Sequence, residues 1–135
     1  MLTIAICDDS SEFRRIFKNA IKKLTNEIFP ESLQNFVLVD FSQSKKVIDY
    51  LETDVIDILF LDIELLDSNG IELGKYIRNY MKNMSMNIVY ISSMTEYAME
   101  LFKIHPYDFV VKPFDKNEIE NLIDEMCGYY EQDNK

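Results

Sequence analysis

Strand-like and helix-like segments alternate five times along these 135 residues, and this alternation restricts the fold more than any other feature. The run "VIDILFL" (55–61) is almost continuously apolar, which is typical of a strand covered on both faces of a sheet. Further strands are predicted at 2–7, 35–41, 86–92 and 107–112. A chain of this pattern is expected to form one α/β domain with a parallel sheet and right-handed crossovers.

Amphipathic helices are predicted between these strands from apolar residues that recur at helical spacing. In the first helix the stripe includes Phe13, Ile16, Phe17 and Ile21, and Asp9 with Glu12 fits a capping box at its start. The predicted helices span 10–26, 44–52, about 71–82, 95–104 and a last segment from about residue 119 to 130.

Composition and charge exclude several classes of function. Hydrophobic residues make up 47% of the chain and charged residues 28%, as in ordinary globular proteins. The net charge of −10 argues against direct binding to nucleic acid or to an anionic membrane surface. No apolar stretch approaches the ~20 residues of a membrane span, and no signal peptide is recognisable.

Cys7 and Cys127 lack metal-ligand spacing with each other or with His105. This favours reduced thiols in a cytosolic protein, with a single disulfide between the two cysteines as the alternative.

Polar side chains follow the predicted strands where a ligand is expected to bind. Asp8 and Asp9 end strand one, Asp62 ends strand three, Ser92 ends strand four and Lys112 ends strand five. Ligands of open parallel sheets bind at the carboxyl ends of the strands. Taken singly, each residue has an ordinary structural explanation: a helix cap, a turn or a solvated lysine. Together the five residues form one chemically coherent site.

Three converging carboxylates suggest a metal ion. Two carboxylates ~5 Å apart repel each other by roughly 3 kcal/mol at an effective dielectric near 20. A hard divalent cation with oxygen ligands relieves this repulsion, so Mg²⁺ is expected, with Mn²⁺ as the alternative. A carboxylate beside such an ion can act as a nucleophile toward phosphorus. No glycine-rich phosphate loop is present, so a nucleotide is not the obvious phosphodonor.

The segments "AICDDS", "LFLDIELLDSNGIELGKYIR" and "IVYISSMTEYAMELFKIHPYDFVVKPF" resemble the receiver domain of two-component response regulators. Of the receiver domains, those joined to LytTR-type DNA-binding domains are the most similar to this sequence. The resemblance covers essentially the whole chain and implies a flavodoxin-like, doubly wound (βα)5 sheet with strand order 2-1-3-4-5. It implies a receiver over residues 1–131, with the polar tail 132–135 starting a linker to an effector domain beyond residue 135.

The resemblance also implies residue roles. Asp62 would accept a phosphoryl group from a phosphohistidine on a sensor histidine kinase. Asp9 would bind Mg²⁺ directly and Asp8 mainly through water, while Asp62 and the backbone carbonyl of Glu64 would complete the protein ligands. Lys112 would pair with the phosphoryl group. The only chemistry of the domain itself would be this self-catalysed acceptance and slow autodephosphorylation.

A conformational switch is implied as well. Ser92 would move to hydrogen-bond the phosphoryl group and Phe109 would turn inward, although core packing is an equally simple interpretation of Phe109. The face made by helix four, strand five and helix five would then repack. In the family this face mediates dimerisation, so a homodimer is expected on phosphorylation. Transcription is the expected output, with DNA contacted only by the effector domain. The bond between Lys112 and Pro113 would be cis.

Two departures from the family pattern concern the loop after Asp62 and the switch hydroxyl. Leu66 and Asp67 stand where the family usually has Pro and often Gly. The loop conformation therefore does not follow from the resemblance, and Asp67 adds a negative charge near the site. Ser92 stands where Thr is common but keeps the hydroxyl. On the first helix, Arg14, Arg15 and Lys18 either help to dock the kinase or form a solvated face.

Three alternatives compete with a phosphorylated receiver. A pseudo-receiver would act as a constitutive interaction module without phosphorylation. A Mg²⁺-dependent phosphatase would usually carry a second aspartate two residues after the nucleophile, where this chain has Glu64. A flavodoxin-like electron carrier would need a phosphate-binding loop after strand one, where this chain has acidic residues.

Overall fold

The computed structural model describes residues 2–28, 36–65, 67–92 and 106–111, together with residues 118, 121, 122 and 125. Residues 24–28, 109 and 111 are described by their backbone alone. Five predicted features lie wholly or largely outside this part of the chain: the helix over 95–104, the helix from residue 119, the tail 132–135, Lys112 and the Lys112–Pro113 bond.

The described segments form a parallel sheet whose strand order is β2-β1-β3-β4-β5. The flavodoxin-like order predicted from the sequence is therefore confirmed. The strands are β1 (Leu2–Cys7), β2 (Phe36–Phe41), β3 (Ile58–Asp62), β4 (Asn87–Ser92) and β5 (Asp108–Val111). The helices between them are α1 (Ser11–Ile28), α2 (Ser44–Leu51) and α3 (Gly70–Lys75), the last continued by a π-helix (Tyr76–Tyr80).

Alternate strand residues pack into two separate cores, one on each face of the sheet. Ile4, Ile6 and Phe60 belong to the first core, which also receives Phe17 and Ile21 of α1. Their immediate neighbours along the strands, such as Ala5, Leu59 and Leu61, belong to the second core, under α2 and α3. Because successive strand side chains point to opposite faces, both sets must be apolar. This explains the unbroken apolar runs in the sequence.

Strand β3 starts later than predicted, at Ile58 rather than at residue 55. Val55 is 69% exposed, and therefore lies outside the sheet. The Asp57 carboxylate accepts a hydrogen bond of 2.8 Å from the backbone N–H of Thr3, so it ties the start of β3 to β1. At its other end the strand includes Asp62 as its last residue.

The start of α1 differs from the predicted capping box of Asp9 and Glu12. The helix begins at Ser11, and the Ser10 hydroxyl accepts a hydrogen bond of 3.1 Å from the N–H of Phe13. Serine is a favoured N-cap residue, and it occupies the cap position here. Of the predicted apolar stripe, Phe17 and Ile21 are buried, whereas Ile16 is 52% exposed.

The predicted helix over 71–82 is not a uniform α-helix. After Lys75 it widens into a π-helix, in which the N–H of Met81 donates to the carbonyl of Tyr76 at 3.0 Å. The wide turn buries both Ile77 and Arg78. The Arg78 guanidinium donates to the carbonyl of Asn83 at 3.0 Å, and burial lowers its pKa. Across the described residues, no helix is long and apolar enough to cross a membrane.

Candidate functional site

Three carboxylates meet at the carboxyl end of the sheet, as the sequence predicts. Carboxylate oxygens of Asp8, Asp9 and Asp62 all lie within 4.8 Å of one another. The cause is the pairing of β1 with β3, which sets Cys7 beside Leu61 and so brings the residues that follow them together. Asp8 and Asp62 are buried, at 1% and 6% exposure, and Asp9 is the most accessible of the three.

Asp8 is held by both its backbone and its side chain. Its N–H donates to the carbonyl of Phe41 at 3.0 Å, and its own carbonyl accepts from the Arg14 guanidinium at 2.7 Å. Its Oδ1 accepts from the N–H of Ser10 at 2.9 Å. The turn between β1 and α1 is therefore fixed at three points, and Ser10 rather than Asp9 caps the helix. Asp9 is consequently not needed as a cap.

Arg14 and Lys18 both bind Asp40, at the end of β2. Arg14 Nε lies 2.9 Å and Lys18 Nζ 2.8 Å from the Asp40 carboxylate. Partial burial works to raise the pKa of Asp40, but the two cations hold it below its ordinary value. Two of the three basic residues considered for kinase docking are thus engaged within the domain. The exposed Arg15 is the third.

The loop after Asp62 closes on itself and on the end of β3. The N–H of Glu64 donates to Asp62 Oδ1 at 3.3 Å, and Glu64 forms an antiparallel bridge with Asn69. The N–H of Gly70 donates to the carbonyl of Ile63 at 2.7 Å. The Asn69 side chain accepts from the N–H of Ile71 at 2.7 Å and so caps α3. These contacts hold the start of α3 directly against the end of β3.

The negative charges around the site affect the neighbouring Cys7 thiol. Burial, followed by the charges of Asp67, Asp8 and Asp62, raises the pKa of Cys7 to about 12. Two ionised carboxylates within 4.8 Å of each other repel by about 3 kcal/mol at an effective dielectric near 20. A cation among the three carboxylates would remove this cost, and carboxylate oxygens are the donors that Mg²⁺ and Mn²⁺ accept. The described donor set therefore fits a hard divalent cation.

The remaining predicted site residues lie on the last two strands or beyond them. Ser92 is buried and ends β4, one residue after Ile91, which pairs with Asp62. The backbone of Phe109, in β5, pairs with that of Tyr90 in β4. The side chain of Phe109 lies outside the described part of the structure. Lys112 follows the last described residue of β5. The structure thus brings Asp8, Asp9 and Asp62 together and leaves the switch geometry of Phe109 undescribed.

Asp67 lies near the site, but its carboxylate binds the N-terminus of α2. It accepts hydrogen bonds from the N–H and hydroxyl of Ser44, at 3.2 and 2.9 Å, and from the N–H of Lys45 at 3.3 Å. Burial works to raise the pKa of Asp67, but these bonds hold it below its ordinary value. The added negative charge expected from the sequence is therefore present and is compensated by α2. No local sequence signal indicated this pairing.

Relatives among known proteins match this chain over most of its length. The transcriptional regulatory protein LytR of Staphylococcus aureus is 30% identical over 111 residues, which are 81% of this chain and 42% of LytR. Protein MrkE of Klebsiella pneumoniae is 26% identical over 98 residues, which are 73% of this chain and 36% of MrkE. The chain spans less than half the length of these relatives. The similarity to LytR is consistent with the predicted LytTR-like subclass.

Solved structures show the same fold. The response regulatory domain of MrkE from Klebsiella pneumoniae superposes with a TM-score of 0.77 at 22% identity, covering 97% of this chain and 99% of that one. The response regulator TrrA of Thermotoga maritima, solved in complex with Mg²⁺-BeF, gives a TM-score of 0.75 at 19% identity, covering 93% and 98%.

The model of the response regulator receiver domain family matches residues 4–124. That match begins within β1, covers β2 to β5 in full and includes each of the three clustered carboxylates. The chain accordingly belongs to the response regulator receiver domain family.

Proposed function

We propose that this receiver domain accepts a phosphoryl group on Asp62 from a phosphohistidine of a sensor histidine kinase, in a reaction that requires Mg²⁺ or Mn²⁺. The observation that carries the proposal is the cluster of Asp8, Asp9 and Asp62, whose oxygens lie within 4.8 Å of one another at the carboxyl end of the sheet. A parallel sheet presents its reactive groups at this edge. Membership of the receiver family supports the same assignment.

The metal ion would be held by the carboxylates of Asp8, Asp9 and Asp62 and by the backbone carbonyl of Glu64. When bound, Mg²⁺ would neutralise charge that develops on the transferring phosphoryl oxygens. Asp9 is the most accessible of the three carboxylates, which supports its role as a direct ligand. Asp8 Oδ1 already accepts from the N–H of Ser10, which supports contact of Asp8 with the metal ion mainly through water. The complex of TrrA with Mg²⁺-BeF supports a metal-dependent site in a protein of this fold.

In the transfer step a carboxylate oxygen of Asp62 attacks phosphorus. The bond between phosphorus and the imidazole nitrogen breaks, a bond between phosphorus and the Asp62 oxygen forms, and the histidine keeps the electron pair. Asp62 is 6% exposed, so little of its surface is accessible to the phosphodonor. Lys112 would pair with the phosphoryl group and Ser92 would hydrogen-bond to it.

The output would follow from the added charge. Ser92 would approach the phosphoryl oxygens, Phe109 would turn inward, and the face that includes β5 would repack and support a homodimer. The similarity to LytR supports control of transcription through a DNA-binding effector domain elsewhere in the protein. A net charge of −10 supports leaving DNA contact to such a domain. We place this domain in the cytoplasm, without a membrane partner.

Intact-mass measurement after incubation with acetyl phosphate and Mg²⁺ tests this function. The wild-type protein is expected to gain one phosphoryl group, and the gain is expected to disappear in Asp62→Asn and in excess EDTA. Asp49→Asn is the matched control, because Asp49 is an exposed aspartate on α2 and should leave the gain unchanged.

Failure to gain mass with both acetyl phosphate and a histidine kinase, in a folded protein, would contradict the proposal. That result would favour the alternative of a pseudo-receiver that acts as a constitutive interaction module. A gain that persists in Asp62→Asn would instead place the acceptor on another residue.

A further inference from the structure

The N-terminus of α2 is capped by a residue that lies far from it in the sequence. The residue at its own N-cap position, Gln43, makes no side-chain cap hydrogen bond. The first N–H groups of a helix need acceptors, because they have no partner within the helix. Here the Asp67 carboxylate accepts from the N–H groups of Ser44 and Lys45, as an N-cap side chain would. The cap comes from the loop between β3 and α3.

The Ser44 side chain strengthens this connection. Ser44 is buried, and its hydroxyl donates to Asp67 at 2.9 Å while it also lies 2.7 Å from the hydroxyl of Ser68. Two consecutive loop residues are therefore bound to the first residue of α2. A negative charge at a helix N-terminus is also favoured by the helix dipole. The loop tip is held by hydrogen bonds and charge together.

From this tip, a continuous set of contacts leads to the acceptor. The N–H of Leu65 donates to the carbonyl of Ser68 at 3.2 Å, which closes the tip of the loop. Glu64 pairs with Asn69 across the loop, and the N–H of Glu64 donates to Asp62 Oδ1 at 3.3 Å. The same residue, Glu64, carries the carbonyl proposed as a metal ligand. The position of that carbonyl thus depends on a loop whose far end is tied to α2.

We propose that Asp67 is a positioning residue of the phosphoacceptor site: by capping α2 it holds the loop that presents the Glu64 carbonyl to the metal ion. This inference rests on the proposed function. Where the family usually stiffens the loop with Pro, this chain ties it to a neighbouring helix. In this role Asp67 acts through the loop, because its carboxylate oxygens accept hydrogen bonds from Ser44 and Lys45 of α2.

Two substitutions separate this role from a simple charge effect. Asp67→Asn removes the charge but keeps one acceptor oxygen, which can take the N–H of Ser44, whereas Asp67→Ala removes both oxygens. Mg²⁺ affinity is measured by titration, followed by amide NMR shifts. Asp67→Asn is expected to bind Mg²⁺ with an affinity within about two-fold of wild type, and Asp67→Ala to bind it several-fold more weakly. The phosphorylation rate with acetyl phosphate at saturating Mg²⁺ is expected to recover in both variants. Asp54→Ala, which removes an exposed carboxylate three residues beyond the end of α2, is the matched control.

Hydrogen exchange gives a readout that does not depend on the metal ion. Asp67→Ala is expected to speed exchange at the amides of Ser44, Lys45 and Leu65. Asp67→Asn is expected to leave Ser44 and Leu65 close to wild type and to speed Lys45 alone, because the Asn amide nitrogen cannot accept from the N–H of Lys45. Equal Mg²⁺ affinity in wild type and Asp67→Ala would overturn the positioning role while leaving the proposed function intact. Equal weakening in the Ala and Asn variants would overturn it in favour of charge alone. A wild-type protein that binds no Mg²⁺ would overturn the proposed function and the positioning role together.

Discussion

Gly70 lies against the main chain of Asp62, so closely that a side chain has no room between them. A β-carbon added at Gly70 would lie 2.9 Å from the α-carbon of Ile63 and closer still to the carbonyl oxygen of Asp62. Both obstacles are backbone atoms, which cannot rotate away as the end of a side chain can. The glycine lets the first turn of α3 rest on the end of β3.

Gly70→Ala should therefore move the backbone around Asp62. Overpacking of this kind costs about 1–3 kcal/mol, and we expect a loss of that size in the free energy of unfolding, measured with urea. The rate of phosphorylation by acetyl phosphate should fall as well, because the acceptor shifts. A variant with wild-type stability and wild-type rate would show that the backbone can yield here at no cost.

The Tyr90 hydroxyl supports the same helix start from β4. It is buried and donates to the carbonyl of Gly70 at 3.2 Å. Tyr90→Phe should lower the free energy of unfolding by about 1 kcal/mol, the usual contribution of such a bond. Tyr80→Phe is the matched control, because Tyr80 is 74% exposed and its substitution should have no measurable effect. Equal effects of the two substitutions would argue against a role for the hydrogen bond.

The ion pairs of Asp40 should make stability depend on acidity. Since Arg14 and Lys18 lower the pKa of Asp40 in the folded state, their stabilisation is complete above the ordinary value of 3.8 and is lost as the pH falls through the lower, folded value. Wild type should therefore exceed Asp40→Asn in stability at neutral pH, and the difference should shrink below about pH 4. Urea unfolding at several pH values measures this difference. A difference that is constant with pH would contradict the prediction.

The Cys7 thiol should report unfolding rather than surface chemistry. It is fully buried and its pKa is raised to about 12, so little reactive thiolate forms near neutral pH. In a Cys127→Ser background, iodoacetamide at pH 8 should modify Cys7 slowly in the folded protein and rapidly in urea. Gly70→Ala in that background should speed the reaction through lower stability. Rapid labelling of the folded Cys127→Ser protein would contradict this expectation.

Much of the sheet was predictable because its signals are local. An apolar run such as 58–61 identifies a strand without reference to the rest of the chain, and the order of the strands follows from the receiver resemblance. The cluster of Asp8, Asp9 and Asp62 was predictable for a related reason, since parallel strands end at a shared edge. Its members follow strands that are adjacent in the sheet.

The features that the sequence did not reveal depend on competition between neighbouring residues for one role, or on contacts between residues far apart in the sequence. Ser10 and Asp9 are both good N-cap residues, and only the fold decides between them in favour of Ser10. The pairing of Asp67 with Ser44 joins residues 23 positions apart and has no periodic signature. The π-helix at Tyr76–Tyr80 replaces an expected α-helical turn, because the apolar pattern alone does not distinguish the two.

That wide turn has a consequence for the angular phase of the helix. Each residue advances a helix by about 100°, so the additional residue of a π-turn rotates all that follows by about that angle. The first turn is oriented by Gly70 against β3, whereas the π-helix forms the end of the helix and buries Ile77 and Arg78, whose guanidinium donates to the carbonyl of Asn83. The extra residue therefore separates the phase of the last turn from that of the first, so that each turn keeps its own packing partners.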